Sequence, residues 1–146
     1  MTVRLMTVCT GNICRSPFAQ LTLQRALDEV RPGTFEVSSA GTGALVDHPV
    51  DPGSAGILDA RGIDHTPFAA RQISERNLAD IDLVLPLEIA HRKLVLSYAP
   101  RLLKRAYTLK EMARLLASAH ARQPWTERLP RSGGRRCPAT SPVSGG

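Results

Sequence analysis

The chain has 146 residues, of which 42% are hydrophobic and 22% charged, with a formal net charge of +6. This length suits a single domain with a sizeable core, and no apolar run reaches the roughly 20 residues of a membrane-spanning helix. Aromatic residues make up only 4%, and the positive charge is concentrated from residue 120 onward, where five arginines accompany one glutamate. This distribution does not indicate a folded nucleic-acid-binding face, which usually combines a basic stripe with aromatic residues.

Strand-like and helix-like segments alternate along the chain. Strands are predicted at residues 3–8, 35–39, 82–85 and 105–109, from short apolar or β-branched runs. Helices are predicted after Ser16, which suits an N-cap before Pro17, and after Ser74 and Thr108, with further helices at residues 52–61 and 87–96. The alternation predicts an α/β fold of three layers, in which helices flank a four-stranded parallel sheet.

The pattern stops near residue 121. We therefore predict one domain over residues 1–121 and a basic tail over residues 122–146, which is rich in Arg, Pro, Gly and Ser and is expected to be disordered.

Cysteine and histidine usage bears on compartment and cofactors. Cys9, Cys14 and Cys137 are too few for a disulfide-stabilised secreted domain, and the first residues show no signal-peptide pattern. We expect a cytoplasmic monomer with no membrane and no nucleic-acid partner. Metal-ligand spacing is absent among the histidines, so ordinary surface or loop roles and no metal or other cofactor are expected for His48, His65, His91 and His120.

Residues 8–17, "VCTGNICRSP", join the first strand to the first helix. Gly11 and Asn12 tolerate left-handed backbone angles, so the loop amides can turn inward as an anion-binding nest at a helix N-terminus. Cys9 at the mouth of this nest would be a nucleophile, Arg15 could hold two phosphate oxygens, and the Ser16 hydroxyl could stabilise the thiolate. These residues favour attack on a phosphate monoester through a phosphocysteine.

The spacing of Cys9 and Arg15 is weak evidence alone, because the chain contains many arginines. A plain turn with a buried cysteine is the alternative. What favours the reactive site is the placement of the Gly-Asn pair and of Ser16 and Pro17 between a strand and a helix.

The segment closely resembles the signature of the low-molecular-weight protein tyrosine phosphatase family. The resemblance extends over about residues 3–119 and includes "SSAGT" (38–42), "DPGSAGILDARGID" (51–64), "AARQIS" (69–74) and "DLVL" (82–85). It implies a phosphotyrosine phosphatase I-like fold with flavodoxin-like topology and a phosphotyrosine-containing protein as substrate. It also implies that Cys9 is the nucleophile, that Asn12 holds the loop shape, that Ser16 tunes the thiolate, and that phosphate is bound by Thr10, Gly11, Asn12, Ile13, Cys14 and Arg15.

Two further loop residues bear on specificity and redox behaviour. Family members that act on phosphoarginine tend to carry Thr at the position of Ile13, so an apolar Ile13 favours phosphotyrosine. Cys14 either packs inward as a small hydrophobe or forms a reversible disulfide with Cys9.

The sequence departs from the family pattern at two positions. The family's general acid is an Asp in an Asp-Pro element near the C-terminus, whereas no Asp follows Asp82 here; Asp51 matches another segment, and Glu127 is a possible substitute. The usual C-terminal element is therefore predicted to be missing. Phe68 stands where the family often has a His that supports the loop Asn, so support is expected from elsewhere, for which Ser39 is a candidate.

Two other functions remain open at this point. A catalytically weak protein that binds phosphate or phosphotyrosine would need only the intact loop. An arsenate reductase would need further cysteines for a disulfide relay, and only Cys137 is left for that role.

Overall fold

The computed structural model describes the backbone of residues 1–122 and the side chains of residues 1–119. The predicted tail beyond Arg122, with Glu127 and Cys137, lies outside the described residues. Residues Met1–Arg114 form one compact unit, which does not include the described residues from Leu115 to Arg122. The elements are β1 (Val3–Cys9), α1 (Arg15–Val30), β2 (Phe35–Gly41), α2 (Pro52–Ala60), α3 (Glu75–Leu78), β3 (Leu83–Pro86), α4 (Ile89–Tyr98), a 3₁₀ helix (Pro100–Arg105) and α5 (Leu109–Arg122).

A parallel sheet with strand order β2-β1-β3 forms the centre of the first unit. Strand β1 pairs along its whole length with β2, from Val3 opposite Phe35 to Cys9 opposite Gly41, and pairs with β3 on its other edge. Met6 and Val8 on this central strand have no exposed surface and belong to the main core cluster. The α/β fold with a parallel sheet flanked by helices is therefore confirmed.

The predicted fourth strand at residues 105–109 is wrong as an extended strand. It is reduced to a single parallel bridge between Val84 and Ala106, beside which the Tyr107 N–H donates to the Val84 carbonyl at 3.1 Å. The 3₁₀ helix ends at Arg105 and α5 begins at Leu109, so too few residues remain between them to build a ladder.

Helix starts are set by local capping, as expected from sequence at two places. The Ser74 hydroxyl accepts from the Asn77 N–H, and Thr108 and Glu111 exchange side-chain and backbone hydrogen bonds before α5. The prediction for α1 is wrong, because the helix starts at Arg15 with Cys14 at the N-cap and no side-chain cap. The Ser16 hydroxyl is instead bonded to Cys9.

Within the described residues, no helix has the length and apolar character required to cross a membrane.

Candidate active site

The loop of residues 10–14 lies at the carboxyl end of the central strand. Strand β1 ends at Cys9 and α1 starts at Arg15, while β2 and β3 flank β1 on either side. This edge, where successive connections leave the central strand in different directions, is where open α/β sheets bind ligands. The sequence placed the loop there by its strand and helix patterns alone.

The carbonyl groups of the loop are held away from its interior. The N–H groups of Thr42, Gly43 and Leu45 donate to the carbonyls of Cys9, Thr10 and Gly11 at 2.9, 3.0 and 3.0 Å, and the Asp51 N–H donates to the Ile13 carbonyl at 2.7 Å. In a trans peptide the carbonyl and the next N–H point in opposite directions, and the chain contains no cis peptide bond among the described residues. It follows that the N–H groups of residues 10, 11, 12 and 14 point to the other side, as an anion-binding nest requires.

The Sγ atom of Cys9 lies within hydrogen-bond distance of two groups from the following residues. The side chain is buried, with 3% of the residue exposed. The Asn12 N–H donates to Cys9 Sγ at 3.3 Å, and Ser16 Oγ lies 2.9 Å from the sulfur. Because Ser16 Oγ already accepts from Asn12 Nδ2 at 2.8 Å, its own hydrogen is free to be donated to Cys9. Two donors on one sulfur stabilise the thiolate form that acts as a nucleophile.

Asn12 organises the buried side of the loop. It is fully buried and has a φ of 56°, in the left-handed region that Asn adopts more readily than other side chains. Its amide donates to Ser16 Oγ and, at 2.9 Å, to Ser39 Oγ, while its Oδ1 accepts from the Arg71 N–H at 2.9 Å. The polar groups of this side chain are therefore all paired.

The prediction that Ser39 supports Asn12 where Phe68 replaces the family's His is confirmed by this contact. Of the two residues that tolerate left-handed backbone angles, Asn12 adopts one and Gly11 does not. A Cβ at Gly11 would meet only Ile13 Cγ1 at 3.7 Å.

Gly41 is a site residue whose role the sequence analysis did not recognise. A Cβ there would lie 2.4 Å from the Thr10 carbonyl oxygen and 2.9 Å from Asn12 Cβ, both closer than real Cβ contacts. The last residue of β2 must therefore be Gly for the loop to approach the sheet. The quoted "SSAGT" segment contained this signal, because a strand that ends beside a backbone loop favours Gly.

Arg15 lies at the exposed rim of the loop. Its Nη1 donates to Glu88 Oε1 in an ion pair, with the two side chains 47% and 55% exposed. The hydrogen bond to Glu88 holds the pKa of Arg15 above its ordinary value, and the same bond lowers the pKa of Glu88. Any phosphate that engages this guanidinium must compete with the Glu88 carboxylate.

His91 also contacts the loop, contrary to the ordinary surface or loop role expected for it. The residue is only 4% exposed, and its Nε2 lies 2.9 Å from Thr10 Oγ1. Burial lowers the pKa of His91. The sequence carried no signal for this contact, because it depends on the pairing of β3 with β1.

Cys14 is exposed, which rules out the first of its two alternatives, inward packing as a small hydrophobe. Its Sγ lies 3.5 Å from Ser54 Oγ, and no disulfide links it to Cys9. The redox pairing of Cys9 and Cys14 stays a prediction.

Comparison with known proteins gives the family. The family model "Low molecular weight phosphotyrosine protein phosphatase" matches residues 4–127, so the chain belongs to that family. The chain is similar to "Probable low molecular weight protein-tyrosine-phosphatase EpsP" of Ralstonia nicotianae, with 36% identity over 74% of this chain and 71% of the relative. It is 37% identical to "Low molecular weight protein-tyrosine-phosphatase Wzb" of Salmonella typhi over 68% of this chain and 63% of that one.

Among solved structures, the low molecular weight protein tyrosine phosphatase from T. tengcongensis superposes with a TM-score of 0.69 at 31% identity, covering 76% of each chain. Family and structural neighbours thus support the predicted phosphatase function and enzyme class. They do not favour the binding-protein or arsenate reductase alternatives.

Proposed function

We propose that this chain hydrolyses phosphotyrosine in proteins through a covalent phosphocysteine on Cys9. The observation that carries the proposal is the convergence of the Asn12 N–H and the Ser16 hydroxyl on Cys9 Sγ. The carbonyls of residues 9, 10, 11 and 13 beside this sulfur accept hydrogen bonds from N–H groups outside the loop. The inward N–H groups of residues 10, 11, 12 and 14 would bind the phosphate oxygens, and Arg15 would leave Glu88 to pair with two of them.

The reaction takes two steps. Cys9 Sγ attacks phosphorus, the bond from phosphorus to the tyrosine oxygen breaks, and that oxygen takes a proton from solvent water as tyrosine leaves. Water then attacks the phosphocysteine, giving inorganic phosphate and the free thiolate, whose departure the Ser16 hydroxyl assists by hydrogen bonding.

Protonation of the tyrosine oxygen is the step that the described residues serve least well. Glu88 is the acid at the loop, but its hydrogen bond to Arg15 lowers its pKa, so it is ionised at neutral pH and has no proton to give. Glu111 is engaged with Thr108 at the start of α5. We therefore expect a strong dependence of the rate on the leaving group.

We assign substrate choice to Ile13, a half-buried apolar residue of the loop that would form one wall of the substrate pocket. An aromatic ring fits such a wall better than a guanidinium does, so phosphotyrosine is the proposed substrate. The substitution Ile13→Thr should raise activity on phosphoarginine relative to phosphotyrosine. An unchanged ratio of the two kcat/KM values would remove Ile13 from the specificity argument.

Hydrolysis of para-nitrophenyl phosphate tests the activity, because this leaving group needs no general acid. The wild-type chain should turn over, and Cys9→Ser should lose about 10⁴-fold or more of kcat. Ser97→Ala is the control, because this exposed hydroxyl donates only to the Leu94 carbonyl of its own helix. Equal rates for the wild type and Cys9→Ser would show that Cys9 is not the nucleophile.

A comparison of leaving groups tests the acid. General acid catalysis contributes about 10²–10⁴ in rate, so phenyl phosphate should be slower than para-nitrophenyl phosphate by at least the lower end of that range. Similar rates for the two esters would mean that an acid is supplied by residues beyond those described.

We also propose that the protein acts as a monomer in the cytoplasm. The low cysteine count supports the reducing compartment. Sedimentation at micromolar concentration should give a single species of 15.8 kDa, and a dimer would contradict the proposed state.

A further inference from the structure

The first turn of α4 lies against the phosphate-binding loop. The Leu87 N–H donates to the Val8 carbonyl at 2.8 Å, which fixes the chain just before this helix to the end of β1. Four residues later, His91 places a buried imidazole beside Thr10. Two elements that are far apart in sequence thus meet next to the nucleophile.

The hydrogen bonds of His91 define its tautomer. The Glu88 N–H donates to His91 Nδ1 at 3.2 Å, so Nδ1 carries no proton. A neutral imidazole then has its proton on Nε2, and this N–H donates to Thr10 Oγ1 at 2.9 Å. One ring therefore serves as acceptor at the helix start and as donor at the loop.

Thr10 is held from two sides. Its carbonyl accepts from the Gly43 N–H at 3.0 Å, and its hydroxyl accepts from His91. Because these bonds restrain the residue that follows Cys9, they also restrain the direction of the N–H groups of residues 10 and 11. Without the His91 bond, the exposed Thr10 side chain would have no hydrogen-bond partner among the described residues.

We propose that His91 is a positioning residue of the phosphate site, which orients Thr10 through the Nε2–H donor and so sets the geometry of the first loop amides. The proposal rests on the proposed function, since it assumes that these amides bind the phosphate. Its rival is a purely structural role, in which His91 only accepts from the Glu88 N–H at the start of α4.

Two substitutions separate these roles, because each keeps a polar atom near only one of the two ring nitrogens. His91→Gln places an amide N–H near the position of Nε2 and loses the Nδ1 acceptor, whereas His91→Asn keeps an acceptor near Nδ1 and loses the donor to Thr10. If His91 positions the loop, His91→Asn should lower kcat/KM about tenfold or more for para-nitrophenyl phosphate and raise the inhibition constant for inorganic phosphate by a similar factor, while His91→Gln stays within about threefold of the wild type. The reverse order, or two variants equal to the wild type, would overturn the proposal.

The partner residue gives the same test from the loop side, and it applies even if His91→Asn does not fold. Thr10→Val removes the hydroxyl and should behave as His91→Asn does, and Thr10→Ser, which keeps a hydroxyl, should recover most of the activity lost in Thr10→Val. In the double variant Thr10→Val/His91→Asn, the losses of kcat/KM from the two substitutions should not add, because each substitution removes the same hydrogen bond. Full additivity would contradict the proposal.

His65→Asn is the matched control, because His65 pairs with Asp59 and makes no hydrogen bond to the loop. Direct binding of inorganic phosphate, measured by calorimetry on each variant, keeps this test separate from that of catalysis. A wild-type protein that binds phosphate without hydrolysing the ester would refute the proposed function. The binding constants of the variants would still test whether His91 positions the loop.

Discussion

The phosphate-binding loop is supported in two different ways on its two sides. The buried support consists of Asn12, Ser16 and Ser39, where the first two have no exposed surface and the third is 3% exposed. The rim support consists of two contacts at the start of α4, from Arg15 to the exposed N-cap residue Glu88 and from Thr10 to His91 in the first turn. The buried hydrogen bonds have no competitor, so they fix the shape of the loop, whereas the Arg15–Glu88 pair is open to exchange with a phosphate.

The difference separates what must stay fixed from what must change in catalysis. A nucleophile and its inward amides work best when they are preorganised. A guanidinium that binds and releases phosphate in each catalytic cycle needs an ion-pair partner from which it can dissociate. Substitutions on the two sides should therefore differ in kind, with losses of stability on the buried side and changes of affinity on the rim.

The largest effect is expected at the centre of the buried support. Asn12→Ala leaves the Arg71 N–H and two hydroxyls without their partner and places Ala at a φ of 56°. The free energy of unfolding in urea should fall by about 3 kcal/mol. Asn77→Ala, at the cap of α3, is the control and should cost about 1 kcal/mol. Equal losses for the two would mean that the buried support contributes no special stability.

A second substitution on the same side tests the close approach of the sheet to the loop. Gly41→Ala forces its Cβ against the Thr10 carbonyl oxygen, so we expect a loss of about 1–3 kcal/mol together with a lower kcat/KM. Gly43→Ala is the matched control, since a Cβ there would meet only Thr10 Cγ2 at 3.8 Å. If Gly43→Ala lowered the free energy of unfolding as much as Gly41→Ala does, the close approach at Gly41 would not explain the loss.

On the rim, the expected change is in affinity. Glu88→Gln removes the charge that competes for Arg15, so the inhibition constant for inorganic phosphate should fall by about two- to fivefold, the range expected for an exposed ion pair. Stability should hardly change. Glu29→Gln breaks a comparable exposed pair with Arg25 and should leave this constant unaltered. Weaker phosphate binding in Glu88→Gln would show that Glu88 orients Arg15 rather than competing for it.

The smallest effect is a pH dependence of stability at His91. Burial lowers the pKa of His91 in the folded protein below its usual 6.5, with the Glu88 carboxylate opposing the shift and the Arg15 guanidinium adding to it. At pH values between the lowered pKa of folded His91 and 6.5, the unfolded chain binds more protons than the folded one. The free energy of unfolding is therefore highest above pH 6.5 and decreases as the pH falls towards the pKa of the folded state. Urea unfolding at pH 7.5 and 5.5 should show a smaller drop for His91→Gln than for the wild type. Identical drops would mean that His91 titrates alike in the folded and unfolded chains.

The family, the alternation of strands and helices, and the identity of the loop residues could all be predicted from the amino-acid sequence. This was possible because Cys9, Asn12, Arg15 and Ser16 are neighbours in the chain, and their chemistry follows from local spacing at a strand–helix junction. The bond from Ser16 to Cys9 was predicted for the same reason.

The distant residues that support the loop could not be predicted in this way, because their contacts form only in the folded chain. Glu88 and His91 reach it because β3 pairs with β1 and α4 begins at the same sheet edge, and Gly41 is needed because β2 ends beside Thr10. The fourth strand shrank to a bridge for a related reason, since the bounds of the 3₁₀ helix and α5 left it no room. Contacts across a sheet depend on strand order and register, and these are properties of the packed chain that no local spacing encodes.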